Sequence, residues 1–283
     1  MRKQQIILVG SGVLLVFLLF IFGRTVPSTQ AGPKPVSNAS ETGQFSIDSS
    51  IRDAKARLSP SQQVYVNALE ISVVRGDVKN QQLHVYHQLA TFWKDSVNSF
   101  YPYAFYTAEA SKLENSEKSL NFAARLFLDN LRGVSDPASK GWMANQAKEL
   151  FERSLQINPL NDSAKIGLGS SYFFGSYADD PQQVMKGIQQ ILEVTRRDSA
   201  NMYAQLMLGI GGVISGQLDK AIERLLRVIA NQPENLEAML TLAEAYERQG
   251  DKANAVKWYE TSKRLISHPE VIQELDQRIK SLE

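Results

Sequence analysis

The feature that most constrains this chain is a pattern that returns. Around residue 239 it reads Met239-x-x-Leu242-Ala243-x-x-Tyr246, then Gly250-Asp251, then Ala255-x-x-x-Tyr259-x-x-Ser262. Thirty-four residues upstream stands Gln205-x-x-Leu208-Gly209-x-x-Gly212, followed by Gly216, Ala221-x-x-x-Leu225-x-x-Val228 and Pro233. The same register extends backward through Lys165-x-x-Leu168-Gly169-x-x-Tyr172 with Gly187-x-x-x-Ile191-x-x-Val194, and through Leu120-x-x-Ala123-Ala124-x-x-Phe127 with Ala147-x-x-x-Phe151-x-x-Ser154. Its first appearance is Tyr86-x-x-Leu89-Ala90-x-x-Trp93, with a looser partner in Tyr101–Leu113. The landmarks fall at 86, 120, 165, 205 and 239, spaced 34, 45, 40 and 34. Steps of three and four place these residues on one face of a helix, so each unit reads as two helices. Small residues let the two approach, and large ones fill the holes between successive pairs. Such a unit cannot bury its apolar face alone, and stacking is what completes the core.

The pattern resembles the tetratricopeptide repeat, which carries a large residue, a Leu-Gly or Leu-Ala pair and an aromatic on its first helix. The second helix has a small residue and an aromatic, with Pro at the exit. The resemblance implies an all-α solenoid of about five repeats over 83–269, with about six extra residues near Ser176–Pro181 and eleven around Val134–Ala144. An open solenoid must cover its terminal apolar faces. Capping helices are accordingly expected over 51–82, centred on Pro60–Arg75, and over 270–283, where charged residues surround Val271, Ile272, Leu275, Ile279 and Leu282.

In such arrays the first helices line a concave groove that takes a protein or peptide. Transferred by register, the groove positions on the first two repeats are His87, Lys118, Asn121 and Arg125. The third and fourth repeats offer Ile166, Ser170, Phe173, Tyr203, Leu206 and Ile210, and the last offers Glu237, Leu240, Glu244 and Glu247. The order runs from polar and basic through apolar and aromatic to acidic, a gradient able to orient an extended peptide. The competing expectation is that Ile166, Leu206, Ile210 and Val213 are core. Arrays of this family that hold a terminal carboxylate use a Lys/Asn/Arg clamp. His87 and Thr91 stand where that clamp would open, and Ile166 and Ser170 do not continue it, so that subtype is not expected.

Ahead of the repeats, no charge occurs from Gln4 to Gly23, and Ile6–Phe22 is apolar apart from Ser11 and two glycines. Twenty helical residues span roughly 30 Å, the thickness of a hydrocarbon core. An N-terminal transmembrane helix over 1–23, contacting the bilayer through 4–23, is therefore expected. The run is longer than a cleavable signal's apolar region, and its nearest cleavage-like site, Thr29-Gln30-Ala31, lies well downstream, which favours a retained anchor. Arg2, Lys3 and the amino terminus against Arg24 and Lys34 predict an inside N-terminus and an external, periplasmic-type repeat domain. Between Thr25 and Gly43, twelve of nineteen residues are Pro, Gly, Ser, Thr or Asn. A flexible tether over 24–50 is expected.

Composition excludes several classes of function. With 31 Lys+Arg against 30 Asp+Glu, and most of the positive excess before residue 44, no nucleic-acid partner is expected. The absence of cysteine rules out disulfides, thiolate zinc sites and thiol nucleophiles. Gly209-Ile210-Gly211-Gly212 and Gly167-Leu168-Gly169 lie within first helices and not after strands, so they read as packing residues. His84 and His87 share a helix face but lack a third metal ligand nearby. Asp179-Asp180 sit in an inserted segment without a pocket, and no Ser elbow or Walker loop occurs. No enzyme, cofactor or metal site is expected. The sequence thus points to a membrane-anchored adaptor that assists an envelope complex. The alternative is an assembly factor for cytochrome maturation that holds an apoprotein.

Overall fold

The computed structural model describes residues 45–75, 78–175 and 180–283. The expected membrane segment, and the tether up to residue 44, lie outside them. Among the described residues no helix is long and apolar enough to cross a membrane, and all regular structure is helical.

The repeat register is visible first in how helices begin. Helices α5 (Glu117–Leu131), α7 (Asp162–Phe174), α9 (Met202–Ile214) and α11 (Leu236–Gln249) start one residue after Ser116, Asn161, Asn201 and Asn235. Each cap oxygen accepts the backbone N–H three residues on, at 3.1, 2.8, 3.0 and 2.9 Å. These bonds satisfy donors that a helix start leaves open. The caps stand four residues before the landmarks 120, 165, 205 and 239. Each first helix packs on the second helix of its own pair: α6 (Pro137–Ile157), α8 (Pro181–Arg197), α10 (Leu218–Asn231) and α12 (Lys252–Lys263). The first helices also stack on one another in the order α5, α7, α9, α11.

Small residues decide how closely the pairs approach. A Cβ on Gly169 would lie 2.6 Å from the Gly187 carbonyl oxygen, and one on Gly209 would lie 2.7 Å from Leu225. These glycines are packing residues, as their register predicts. The longest interval between landmarks, 120 to 165, is absorbed by helix: α6 has 21 residues, and its added turns bury Met143 and Ala144. They also bring Trp142 against Phe127, Tyr101 and Phe45, with ring centroids 5.4, 6.0 and 4.8 Å apart.

The N-terminal part is built differently. Helices α1 (Ile47–Ala56), α2 (Pro60–Arg75), α3 (Lys79–Thr91) and α4 (Phe100–Glu114), with a π-helical turn at Phe92–Ser96, gather around a core of their own. Val66, Leu89 and Trp93 are fully buried there. Helix α4 joins the two regions: Tyr106 faces this cluster, whereas Ala104 and Ala108 belong to the core of the array. Residues 45–50, expected to belong to the tether, belong to the fold instead: Ser46 caps α1 and Phe45 packs on Trp142. At the other end, α13 (Pro269–Leu282) lays Ile279 and Leu282 on Ala243, Ala255 and Tyr259.

Candidate functional site

The shared face of α5, α7, α9 and α11 carries the groove positions transferred from the sequence, and the structure divides them into three groups. Ile166, Ser170, Phe173, Leu206 and Ile210 are buried at 5% exposure or less and belong to α7 and α9, which are buried along most of their length. Ser170 spends its hydroxyl on the Ile166 carbonyl at 2.8 Å. These five offer no open floor to a ligand in this form of the chain; Val213 is buried with them.

The second group forms a charged seam. Arg125 on α5 lies over the Tyr203 ring at 5.3 Å and donates to the Ser163 hydroxyl at 3.3 Å. Two turns on, Arg132 covers the Phe174 ring at 4.9 Å and pairs with Glu237 at the start of α11. Asp129 stands between the two arginines and Glu237. Loss of surrounding water raises its pKa above the usual carboxylate range, Arg125 and Arg132 pull the other way, and Glu237 adds to the rise. The Tyr203 hydroxyl is pushed up by the same loss of water. Asn121, also on α5, keeps a buried side-chain oxygen with no donor. Asp129, Arg132 and Phe174 were not among the transferred positions. A signal for the two α5 residues lies in the sequence: 118, 121, 125, 129 and 132 follow one helical stripe, and the transferred positions end two turns before its last member.

The third group surrounds an open cavity of about 670 Å³ at the far end of the seam. Leu236, Leu240 and Thr241 of α11 line it together with Glu237 and Glu244, and Tyr259, Arg278 and Arg132 complete it. Its charges are held in place from within. Glu244 pairs with Arg248 at 2.7 Å, and Glu247 pairs with Arg278 at 2.8 Å while accepting from the Tyr259 hydroxyl at 2.9 Å. The arrangement presents apolar surface inside a fixed charged frame and suits a side chain or short peptide segment better than a reaction.

His87 and Lys118 belong to none of the three groups. His87 borders two cavities at the N-terminal end, one of about 210 Å³ shared with Lys94, Tyr103 and Phe122, and one of about 470 Å³ shared with Tyr65, His84 and Phe92. Lys118 is exposed one turn before Phe122 on α5. Among the described residues no group of three His, Asp or Glu side chains is placed to hold a metal ion.

Residues 215–267 match the tetratricopeptide-repeat family model, a span that contains α10 to α12. No curated protein matches the chain. Among solved structures, the chain is similar to YrrB, described as a TPR protein with an unusual peptide-binding site, at 15% identity over 68% of this chain and 91% of that one, with a TM-score of 0.42. MamA from Desulfovibrio magneticus RS-1 is similar at 19% identity over 67% and 96%, TM-score 0.47. PilW, a type IV pilus biogenesis factor, is similar at 15% identity over 70% and 92%, TM-score 0.49. The family match falls where the register is most regular, and the same capped first helices stack through α5, α7 and α9 before it; residues 215–267 are tetratricopeptide-repeat structure, within an all-helical array of similar pairs.

Proposed function

We propose that this protein is a membrane-anchored adaptor that binds a protein or peptide at the open end of its first-helix face and assists an envelope complex. The observation that carries the binding reading is the cavity beside α11, where Leu236 and Leu240 face a space wide enough for an apolar side chain of a partner. Internal ion pairs already fix the surrounding carboxylates and guanidinium groups, so little ordering cost is left for the moment of binding. Support for the anchor comes from the uncharged stretch 4–23, and support for the external side comes from the basic residues that precede it. The test is capture of partners by the full-length tagged chain, with Leu240→Arg as the comparison. Recovery of a partner by the parent chain and its loss from Leu240→Arg, at unchanged melting temperature, supports the reading. Equal recovery by both chains overturns it. Protease added to intact spheroplasts tests the placement separately: a repeat domain protected until lysis contradicts an external location.

A further inference from the structure

The first-helix face is spanned by side chains that reach over the helices between them. Helices α5, α7, α9 and α11 stack in that order, so α5 and α11 are separated by two others. Arg132 nevertheless pairs with Glu237, 105 residues away, and in doing so lies over the Phe174 ring of α7 at 4.9 Å. Two turns earlier on α5, Arg125 donates to Ser163 at the start of α7 at 3.3 Å and lies over Tyr203 of α9 at 5.3 Å. One helix is thus tied by its charged stripe to each of the three first helices that follow it. On the face that these ties span, Ile166, Ser170, Phe173, Leu206 and Ile210, which register aims at the groove, are buried.

The balance between these ties and what opposes them is narrow. Arg132 and Glu237 are both partly exposed, and an exposed ion pair shifts an equilibrium by about fivefold at most. Each cation over a ring adds a similar factor. Against closure stand Asn121, on the same stripe, whose side-chain oxygen is buried without a donor, and Asp129, which has lost part of its water between Arg125, Arg132 and Glu237. A buried acceptor left unsatisfied forfeits about as much as one such tie supplies. Release strands neither member of the pair. Glu237 sits in the first turn of α11, where the helix dipole favours a carboxylate, and Arg132 caps the end of α5, where it favours a cation. The floor itself carries no charge, and while covered it is kept from non-specific contact. We propose that the Arg132–Glu237 pair is a latch: it holds the first-helix face closed over the floor formed by α7 and α9, and its release uncovers that floor. The pair also borders the cavity beside α11, yet the latch stands whether or not that cavity takes a partner.

Because the chain has no cysteine, one introduced thiol reports on one place. Ser170→Cys puts a probe on the floor, and Ser154→Cys puts one on the second helix α6. Both serines are fully buried, and the Ser154 hydroxyl has no partner to lose. In the full-length chain, the rate at which a maleimide reaches each thiol is measured with and without Arg132→Glu, which sets a third carboxylate beside Asp129 and Glu237. The latch predicts that Arg132→Glu speeds labelling of Ser170→Cys by about tenfold or more and changes that of Ser154→Cys by less than about twofold. Glu237→Arg alone should speed Ser170→Cys likewise, and the two reversals combined should return it toward the parent rate. Unchanged labelling of Ser170→Cys in both reversals overturns the proposal. So does equal acceleration at the two thiols, which would make the pair a support of the whole fold, or a combined variant that labels as fast as the single ones.

Discussion

The four N-terminal helices and the array that follows them solve the same packing problem by different means. In the array, each first helix starts on a Ser or Asn cap and its glycine or alanine meets the partner helix, and on the last of them, α11, the carboxylates of Glu244 and Glu247 are paired. In the N-terminal region, α3 starts after Val78 and α4 after Ser99 with no side-chain cap, α3 ends in a π-helical turn, and large apolar side chains stay exposed on α2. The difference teaches where freedom remains. A repeat supplies every helix with a neighbour of known shape, whereas the end of a repeat has only one neighbour and must improvise the other.

The sharpest way to break this comparison is to empty each core. Trp93→Ala and Phe151→Ala each remove a fully buried aromatic and should cost about 3–5 kcal/mol. Hydrogen exchange should separate them. Loss of Trp93 should speed exchange in α1 to α4 and leave α9 to α12 protected, and loss of Phe151 should loosen α5 to α8. Identical exchange patterns would mean that the two regions are one cooperative body.

Next in size is Gly187→Ala. Its added methyl would press on the backbone of Gly169 across the α7–α8 contact, and α8 must move to accept it. Overpacking of this kind costs about 1–3 kcal/mol, more than the better helix propensity of alanine returns. A rise in melting temperature would place α8 farther from α7 than described.

Caps sharpen the contrast at a smaller scale. Asn161→Ala, Asn201→Ala and Asn235→Ala should each lose about 1 kcal/mol in thermal unfolding, and Val78→Asn should gain a comparable amount by giving α3 the cap it lacks. Equal and negligible effects at all four sites would remove the caps from the account.

The smallest effect concerns pH. Burial first, then the bond to Glu247 and that residue's charge, push the Tyr259 hydroxyl up to about 12 from its ordinary 10.0. Between those values the folded chain keeps a proton that the unfolded chain has released. Stability contributed by the neutral hydroxyl is present below pH 10 and falls as pH rises toward 12. Melting curves of Tyr259→Phe should show a shallower decline across that window than the parent; a steeper one would contradict the assigned environment.

Much of the fold is legible in residues whose partners are set by the repeat. Leu208, Gly209, Ala221 and Leu225 specify one another, and the landmarks at 120, 165, 205 and 239 fall on the capped first helices. Helix α2 spans Pro60–Arg75 as its pattern suggests. Other features depend on distant contacts. Helix α1 has few apolar residues, and what defines it is Ile51 packing in the N-terminal core. The residues around 134–144 have no counterpart in the repeat, and their helical state is fixed by Trp142 meeting Phe45, Tyr101 and Phe127. The site was half legible for the same reason. Register gives the face on which Ile166, Leu206 and Leu240 stand, but exposure depends on packing: Ile166 and Leu206 are buried and Leu240 borders a cavity. Arg132 reaches Glu237 from 105 residues away, a distance over which no local pattern speaks.

The central claim is that partners engage the open end of the first-helix face and leave the second-helix side free. A photo-crosslinking amino acid placed at Leu240, and separately at the exposed Leu226 of α10, tests it in the full-length chain. The account predicts a crosslinked partner from position 240 and none from position 226. Crosslinking from position 226 with none from position 240 would contradict it.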